Sequence, residues 1–213
     1  MNDRGRLIVI SGPSGAGKST VVFKAIENRE DICFSTSVTT RKPRPGEVDG
    51  REYFFVDLDR FKEMVEKDEL LEHAVYVANS YGTPRAYVER QMAAGLNVLL
   101  DIEVQGARQI HEKMPEAVMI FIVPPSMAVL RERLIGRGTE DMATVEKRLA
   151  KAVDEIRCAD RFDYLVINDS LDDAVRDFAD IMDACEKGDE ARLAALREKT
   201  ARLKEQIARE FLG

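Results

Sequence analysis

The sequence predicts an α/β protein: a three-layer core whose mostly parallel strands are covered by helices, carrying a small α+β insert and a helical flap. Three observations lead there. The runs at residues 7–10 (LIVI), 97–101 (NVLLD), 117–123 (AVMIFIV) and 164–167 (YLVI) are built on unbroken apolar stretches rather than alternation, as strands buried on both faces are. Helix-patterned segments lie between them, giving the β-α rhythm of a parallel sheet. Residues 12–19 read GPSGAGKS between the first strand and the first helix, the strand–turn–helix context of a phosphate-binding loop.

Taken in order, the first strand ends in that glycine-rich turn and a helix follows over about residues 18–28. Residues 35–87 break the rhythm. Their short β-leaning pieces (33–40, 52–56, 74–77) flank a polar helix at 58–69, which reads as an inserted α+β lobe. Residues 129–157 are helical and charged, interrupted by GRGT at 136–139, and two glycines around an arginine suit a movable flap. Leu171, Val175, Phe178, Met182 and Cys185 mark one helix face, with Ser170 as its N-cap. From residue 189 the chain is charged and helical. Leu193, Leu196, Leu203 and Ile207 stand near heptad spacing there, and Thr200 interrupts the stripe. Under three heptads is short for a coiled coil, so the expectation is a terminal helix packed on its own core, with monomer and homo-oligomer both open.

Composition narrows the function. The 213 residues carry 32 Lys and Arg against 39 Asp and Glu, a net charge of −7. That balance argues against a nucleic-acid polymer as partner. The longest apolar run, 117–123, is far below the roughly 20 residues of a membrane span. The first residues lack a signal-peptide pattern, and the three cysteines (Cys33, Cys158, Cys185) form no CxxC pair. No membrane partner and a reducing, cytoplasmic location are expected. His73 and His111 lack metal-ligand spacing and read as ordinary surface or packing residues.

In the loop Gly12, Pro13, Ser14, Gly15, Ala16, Gly17, Lys18, Ser19 and the following Thr20, the glycines let backbone N–H groups turn inward at a helix N-terminus, where an anion is favoured. Lys18 would reach the β- and γ-phosphates and the Ser19 hydroxyl would ligate Mg²⁺. Asp101, ending a buried strand, has the position of a carboxylate that holds Mg²⁺, directly or through water. The core is therefore expected to be a P-loop NTPase core binding Mg-ATP or a close relative. The guanine-selective NKxD signature of GTPases is absent. Arginines concentrate at Arg41, Arg44 and Arg51 and at Arg131, Arg133, Arg137 and Arg148, which suits bidentate phosphate recognition.

The segment TTRKPRPGEVDGREYFF (39–55) resembles the signature of guanylate kinases. The resemblance continues through LEHA (71–74), YGT (81–83), LDIEVQG (100–106), VPPS (123–126), RLIGRGT (133–139) and VIND (166–169). It implies transfer of the ATP γ-phosphoryl group to GMP, and to dGMP, a step of GMP recycling and guanine-nucleotide synthesis. It divides the chain into a P-loop core (5–36, 93–130, 158–187), a GMP-binding lobe (37–92), a lid (131–157) and a helical extension (188–213).

The same resemblance places Ser37, Glu72, Thr83 and Glu103 around guanine, with Asp101 beside them. Carboxylates would accept from N1 and the exocyclic amine, and hydroxyls would serve O6 and N7. Adenine would turn a lone pair towards the carboxylate, at a cost of roughly 1–3 kcal/mol or more. Arg41, Arg44, Tyr53 and Tyr81 would hold the GMP phosphate, while Arg133, Arg137 and Arg148 reach the transferring group. Asn168 contacts the ATP adenine in this reading, or else caps the helix that follows. Lys18, Arg41, Arg137 and Arg148 are the implied catalytic set. Two alternatives share the fold: a non-catalytic guanylate-kinase-like binding module, and a kinase for another nucleoside monophosphate. Against the first, Lys18, Ser19, Asp101 and the arginines are all present.

Overall fold

The four apolar runs become four strands of a five-stranded sheet in a computed structural model that describes residues 4–76, 78–136 and 141–212. The fifth, at 32–34, overlaps the start of the piece 33–40 that the sequence pattern groups with the insert. The strands are β1 (Leu7–Ser11), β2 (Ile32–Phe34), β7 (Asn97–Asp101), β8 (Val118–Val123) and β9 (Tyr164–Ile167), in the order β2-β7-β1-β8-β9. The pairs β2–β7 and β8–β9 are parallel, with Cys33 opposite Val98 and Phe121 opposite Leu165. Every residue of β8 is buried, in keeping with a strand covered on both faces. A second sheet, β4-β3-β6-β5, gathers β3 (Val38–Thr39), β4 (Phe54–Phe55), β5 (Leu70–Tyr76) and β6 (Asn79–Pro84).

The chain divides into two compact units, Met1–Val9 with Glu30–Val118, and Ile10–Arg29 with Met119–Gly213. In the first, helix α2 (Leu58–Glu66) packs Phe61 and Met64 onto Val38 and Leu70 to give the second sheet a small core. Asp57 caps this helix, accepting the Arg60 N–H. Helix α3 (Arg85–Ala93) leads into β7, and α4 (Val104–Lys113) leaves it. Helix α4 is tied to β5 by the Gln109 side chain, which exchanges two hydrogen bonds with the His73 backbone (3.1 and 2.9 Å). β5 is the outer strand of its sheet, so a side-chain amide satisfies the His73 N–H and carbonyl on the side away from β6.

In the second unit, α1 (Lys18–Ile26) packs on α7 (Leu171–Lys187), with Arg29 bridging Asp183 and Glu186. Helices α5 (Met127–Gly136) and α6 (Met142–Ile156) bury Leu130, Leu134, Val145, Leu149 and Ala152 between them. Ser170 caps α7, as its position predicts. Gly188 ends that helix at φ 60° and Asp189 caps α8 (Glu190–Phe211), so the chain reverses within a short turn.

Helix α8 packs on α7 and β9. Its buried positions are Leu193, Thr200, Ile207 and Phe211, which corrects the reading of Thr200 as an interruption of the apolar stripe. Lys204 donates to the carbonyls of Asp160 and Phe162 (3.0 and 2.8 Å), and Asp177 and Asp180 of α7 pair with Lys199 and Arg192. Among the described residues, no helix is long and apolar enough to cross a membrane.

Candidate active site

The site residues fall into two sets, one in each unit. In the second unit the loop begins where β1 ends. Gly12 has φ 142°, and a Cβ there would lie 2.0 Å from the Ile122 carbonyl oxygen, so only glycine fits. Gly17, at φ 83°, caps α1. A Cβ at Gly17 would stand 2.4 Å from Asn168 Nδ2, because that amide donates to the Ala16 carbonyl at 2.7 Å. Asn168 is buried and is a brace for the loop, not the cap of α7. Pro13 accepts from the Ala16 N–H (3.1 Å), closing the turn. Lys18 Nζ donates to the Gly12 carbonyl at 2.7 Å, so its ammonium lies over the loop. Ser19 and Thr20 are exposed in the first turn of α1, and Ser14 is exposed on the loop itself. The first N–H groups of a helix have no intrahelical acceptor, which leaves this turn suited to phosphate oxygens.

Two of the flap arginines reach the same loop. Arg133 donates to the Asn168 carbonyl (2.8 Å) and lies 3.4 Å from that of Ala16. Arg148 approaches Ser14 Oγ at 3.5 Å. Arg131 pairs instead with Glu146 across α5 and α6. Arg137 lies outside the described residues.

In the first unit, Arg41, Tyr53 and Tyr81 form one cluster. The Arg41 guanidinium lies over the Tyr53 and Phe55 rings (5.2 and 5.8 Å), and Tyr53 meets Tyr81 edge-on. Glu47 takes two Arg41 nitrogens at 2.9 and 3.0 Å and accepts the Arg44 N–H at 2.7 Å. The pair raises the Arg41 pKa and lowers that of Glu47. Glu47 stands inside the motif but sequence reasoning gave it no role. Arg51 lies apart from the cluster, on Glu52 and Gly46.

Glu72 lies in β5 at 5% exposure and Thr83 at the end of β6 at 0%. The Thr83 hydroxyl donates to Glu72 Oε1 at 2.7 Å. A hydroxyl has one proton, so Thr83 is left an acceptor towards anything else, whereas the motif alone suggested a donor to O6 or N7. Burial raises the Glu72 pKa, opposed by the Thr83 bond and by the charge of Lys113. Lys113 is held by Asp68 and the Leu70 carbonyl. Ser37 is half-buried before β3, its carbonyl accepting the Phe54 N–H. Asp101 ends β7 and Glu103 is the N-cap of α4, both exposed. No group of three or more acidic, His or Cys side chains among the described residues could hold a metal ion. Mg²⁺ bound with a nucleotide needs only one or two protein oxygens beside the phosphates, and in the second unit the exposed Ser19 hydroxyl is a ligand of that kind.

A strand, a glycine loop and a helix turning Lys18 and Ser19 over the turn define a nucleotide-binding protein of the phosphate-loop class. The guanylate kinase family profile matches residues 4–185. A guanylate kinase of Thermus thermophilus is 52% identical over 181 residues, 85% of this chain and 82% of that one. One from Latilactobacillus sakei is 49% identical, over 86% and 91% of the two chains. The crystal structure of guanylate kinase from Anaplasma phagocytophilum superposes with TM-score 0.66 at 35% identity, covering 86% of this chain and 87% of that one. The chain belongs to the guanylate kinase family, a family of nucleoside monophosphate kinases. The mostly parallel α/β fold agrees with the expectation from sequence.

Proposed function

We propose that the chain transfers the γ-phosphoryl group of ATP to GMP, and to dGMP, giving ADP and GDP with Mg²⁺ as cofactor, in the cytoplasm. The observation that carries this is the buried Glu72–Thr83 pair in a chain whose phosphate loop is intact. A buried carboxylate presents acceptors only, which fits the adjacent N–H donors of guanine and leaves adenine's N1 lone pair opposed.

The donor nucleotide is assigned to the loop from Gly12 to Thr20, with Lys18 on the β- and γ-phosphates. Asn168 and Arg133 hold the loop in shape, and Arg137 and Arg148 neutralise the transferring group. Mg²⁺, when bound through Ser19 and, by way of water, Asp101, would neutralise phosphate charge. The acceptor is assigned to residues 37–92 as a GMP-binding lobe. There Arg41, Arg44, Tyr53 and Tyr81 take the phosphate, and Ser37, Glu72, Thr83, Asp101 and Glu103 take the base and ribose side. Residues 131–157 act as a lid, which would exclude water that otherwise competes with GMP for the phosphoryl group.

Phosphoryl transfer asks little covalent chemistry of the protein, so alignment of the two nucleotides and charge neutralisation account for the rate. ADP release measured by a coupled assay with GMP, AMP, dTMP or no acceptor tests the assignment. ADP formation dependent on GMP is expected, and its absence with Mg-ATP present would overturn the reading.

A further inference from the structure

Gly106 sits in the first turn of α4 and is buried, although glycine is disfavoured in a helix relative to alanine. A Cβ at this position would lie 2.6 Å from Glu72 Oε2 and 3.2 Å from its Cδ, with Ile102 Cδ1 at 3.3 Å. The far end of a glutamate normally swings aside. Here it is held. Thr83 donates to Oε1, the carboxylate is almost wholly enclosed, and Gln109 locks α4 to the β5 backbone at the next residue, His73. The missing side chain therefore lets the first turn of α4 lie directly against Oε2. That turn is the positive end of the helix dipole and carries N–H groups without intrahelical acceptors.

We propose that Gly106 is a specificity-positioning residue of the acceptor site: its lack of a side chain lets α4 lie against the Glu72 carboxylate and fix its plane. This rests on the reading of Glu72 as the guanine contact. Any Cβ at 106 would push the carboxylate away from the helix and turn both acceptor oxygens out of register with paired N–H donors. The backbone of α4 would be untouched, since alanine suits a helix better than glycine.

The test compares Gly106→Ala, Glu72→Ala and the double variant, in full-length protein, by steady-state kinetics with GMP and ATP and by thermal denaturation. Gly106→Ala is expected to raise the GMP KM about 10- to 100-fold, with the ATP KM and kcat within about twofold. The thermal midpoint should be lowered by several degrees, because crowding a held, buried side chain destabilises more than alanine's helix propensity returns. In the Glu72→Ala background it should add nothing, the signature of a residue acting through another. If Glu72→Ala raises the GMP KM while Gly106→Ala does not, the inference falls and the function stands. A lowered midpoint with both KM values raised would mark a merely structural role and also overturn it. If Glu72→Ala leaves the GMP KM unchanged, the guanine reading of Glu72 fails and this inference fails with it.

Discussion

The hydroxyl of Thr200, in the middle of α8, accepts the backbone N–H of Leu165 at 3.2 Å. β9 ends the five-stranded sheet, and an edge strand turns some of its N–H groups away from its neighbour. Leu165 and Thr200 are both buried, so water does not replace the bond. Thr200→Val keeps the shape of the side chain and removes the acceptor. Leaving a buried N–H unpaired costs about 1–3 kcal/mol, and each kcal/mol lowers the midpoint by about 2–4 °C at this chain length. Thermal denaturation should show that loss for Thr200→Val and little change for Thr200→Ser, with the KM values of both variants unaltered.

That pair also shows what sequence patterning leaves hidden. The sevenfold spacing from Leu193 to Ile207 is real, but the position between them is a threonine because the facing strand needs an acceptor. A pattern of apolar letters cannot register this. Four strands of the parallel sheet were legible because burial on both faces demands solid apolar runs, and β8 follows that rule residue by residue. β2 is short and only half-buried, and its segment reads from sequence as part of the insert instead. The second sheet was legible only in outline. β3 and β4 have two residues each and exist through pairing. β5 begins at Leu70, ahead of the expected start at 74, because the polar pair Glu72 and His73 breaks the apolar pattern that marks a strand. The burial of Glu72 depends on Thr83, Lys113 and Gly106, which no local window joins to it. The phosphate loop was legible in full, since its chemistry is contiguous, whereas the loop's brace, Asn168, comes from the far side of β9.

Asn168 offers a direct test of that brace. Its amide spans from the end of β9 to the Ala16 carbonyl, and Arg133 holds the Asn168 carbonyl in turn. Asn168→Ala frees the loop between Gly12 and Lys18 to sample other conformations, and a bound phosphate must then reorder it. Losing one such hydrogen bond is worth about 1–1.5 kcal/mol. The expected result is a rise of about tenfold in the ATP KM with the GMP KM unchanged, measured by varying each nucleotide at saturation of the other.

Arg41 should resist conservative replacement. Its guanidinium engages Glu47 through two nitrogens while lying over Tyr53 and Phe55. A lysine ammonium can satisfy one carboxylate oxygen but has no second edge to offer a phosphate. Both Arg41→Ala and Arg41→Lys are expected to lower kcat/KM for GMP by about 100-fold or more, the scale of a lost bidentate charge-assisted pair. An Arg41→Lys enzyme with near wild-type kcat/KM would show that charge alone suffices at this position.

Glu72 should set stability and binding against each other as pH changes. Burial raises its pKa above the ordinary value of 4.5, against the Thr83 hydrogen bond and the charge of Lys113. A group whose folded pKa exceeds its unfolded one contributes stability that is complete below the unfolded pKa and lost as pH rises through the folded value. Ionised Glu72 therefore weakens the nucleotide-free protein at neutral pH. Glu72→Gln, which cannot ionise, should gain stability relative to the wild type as pH rises from about 4 to neutrality, with the two curves parallel below that window. GMP binding follows the opposite sign, because only the carboxylate is purely an acceptor towards the guanine N–H donors. Over the same window wild-type GMP affinity should rise more steeply than that of Glu72→Gln, in which the GMP phosphate, with its second pKa of about 6, still titrates. The variant should be about 10- to 100-fold weaker at neutral pH. Thermal denaturation and calorimetric GMP titration across that range would measure both. Parallel stability curves at every pH would mean that Glu72 does not titrate differently in the folded protein, and the trade between stability and recognition would not exist.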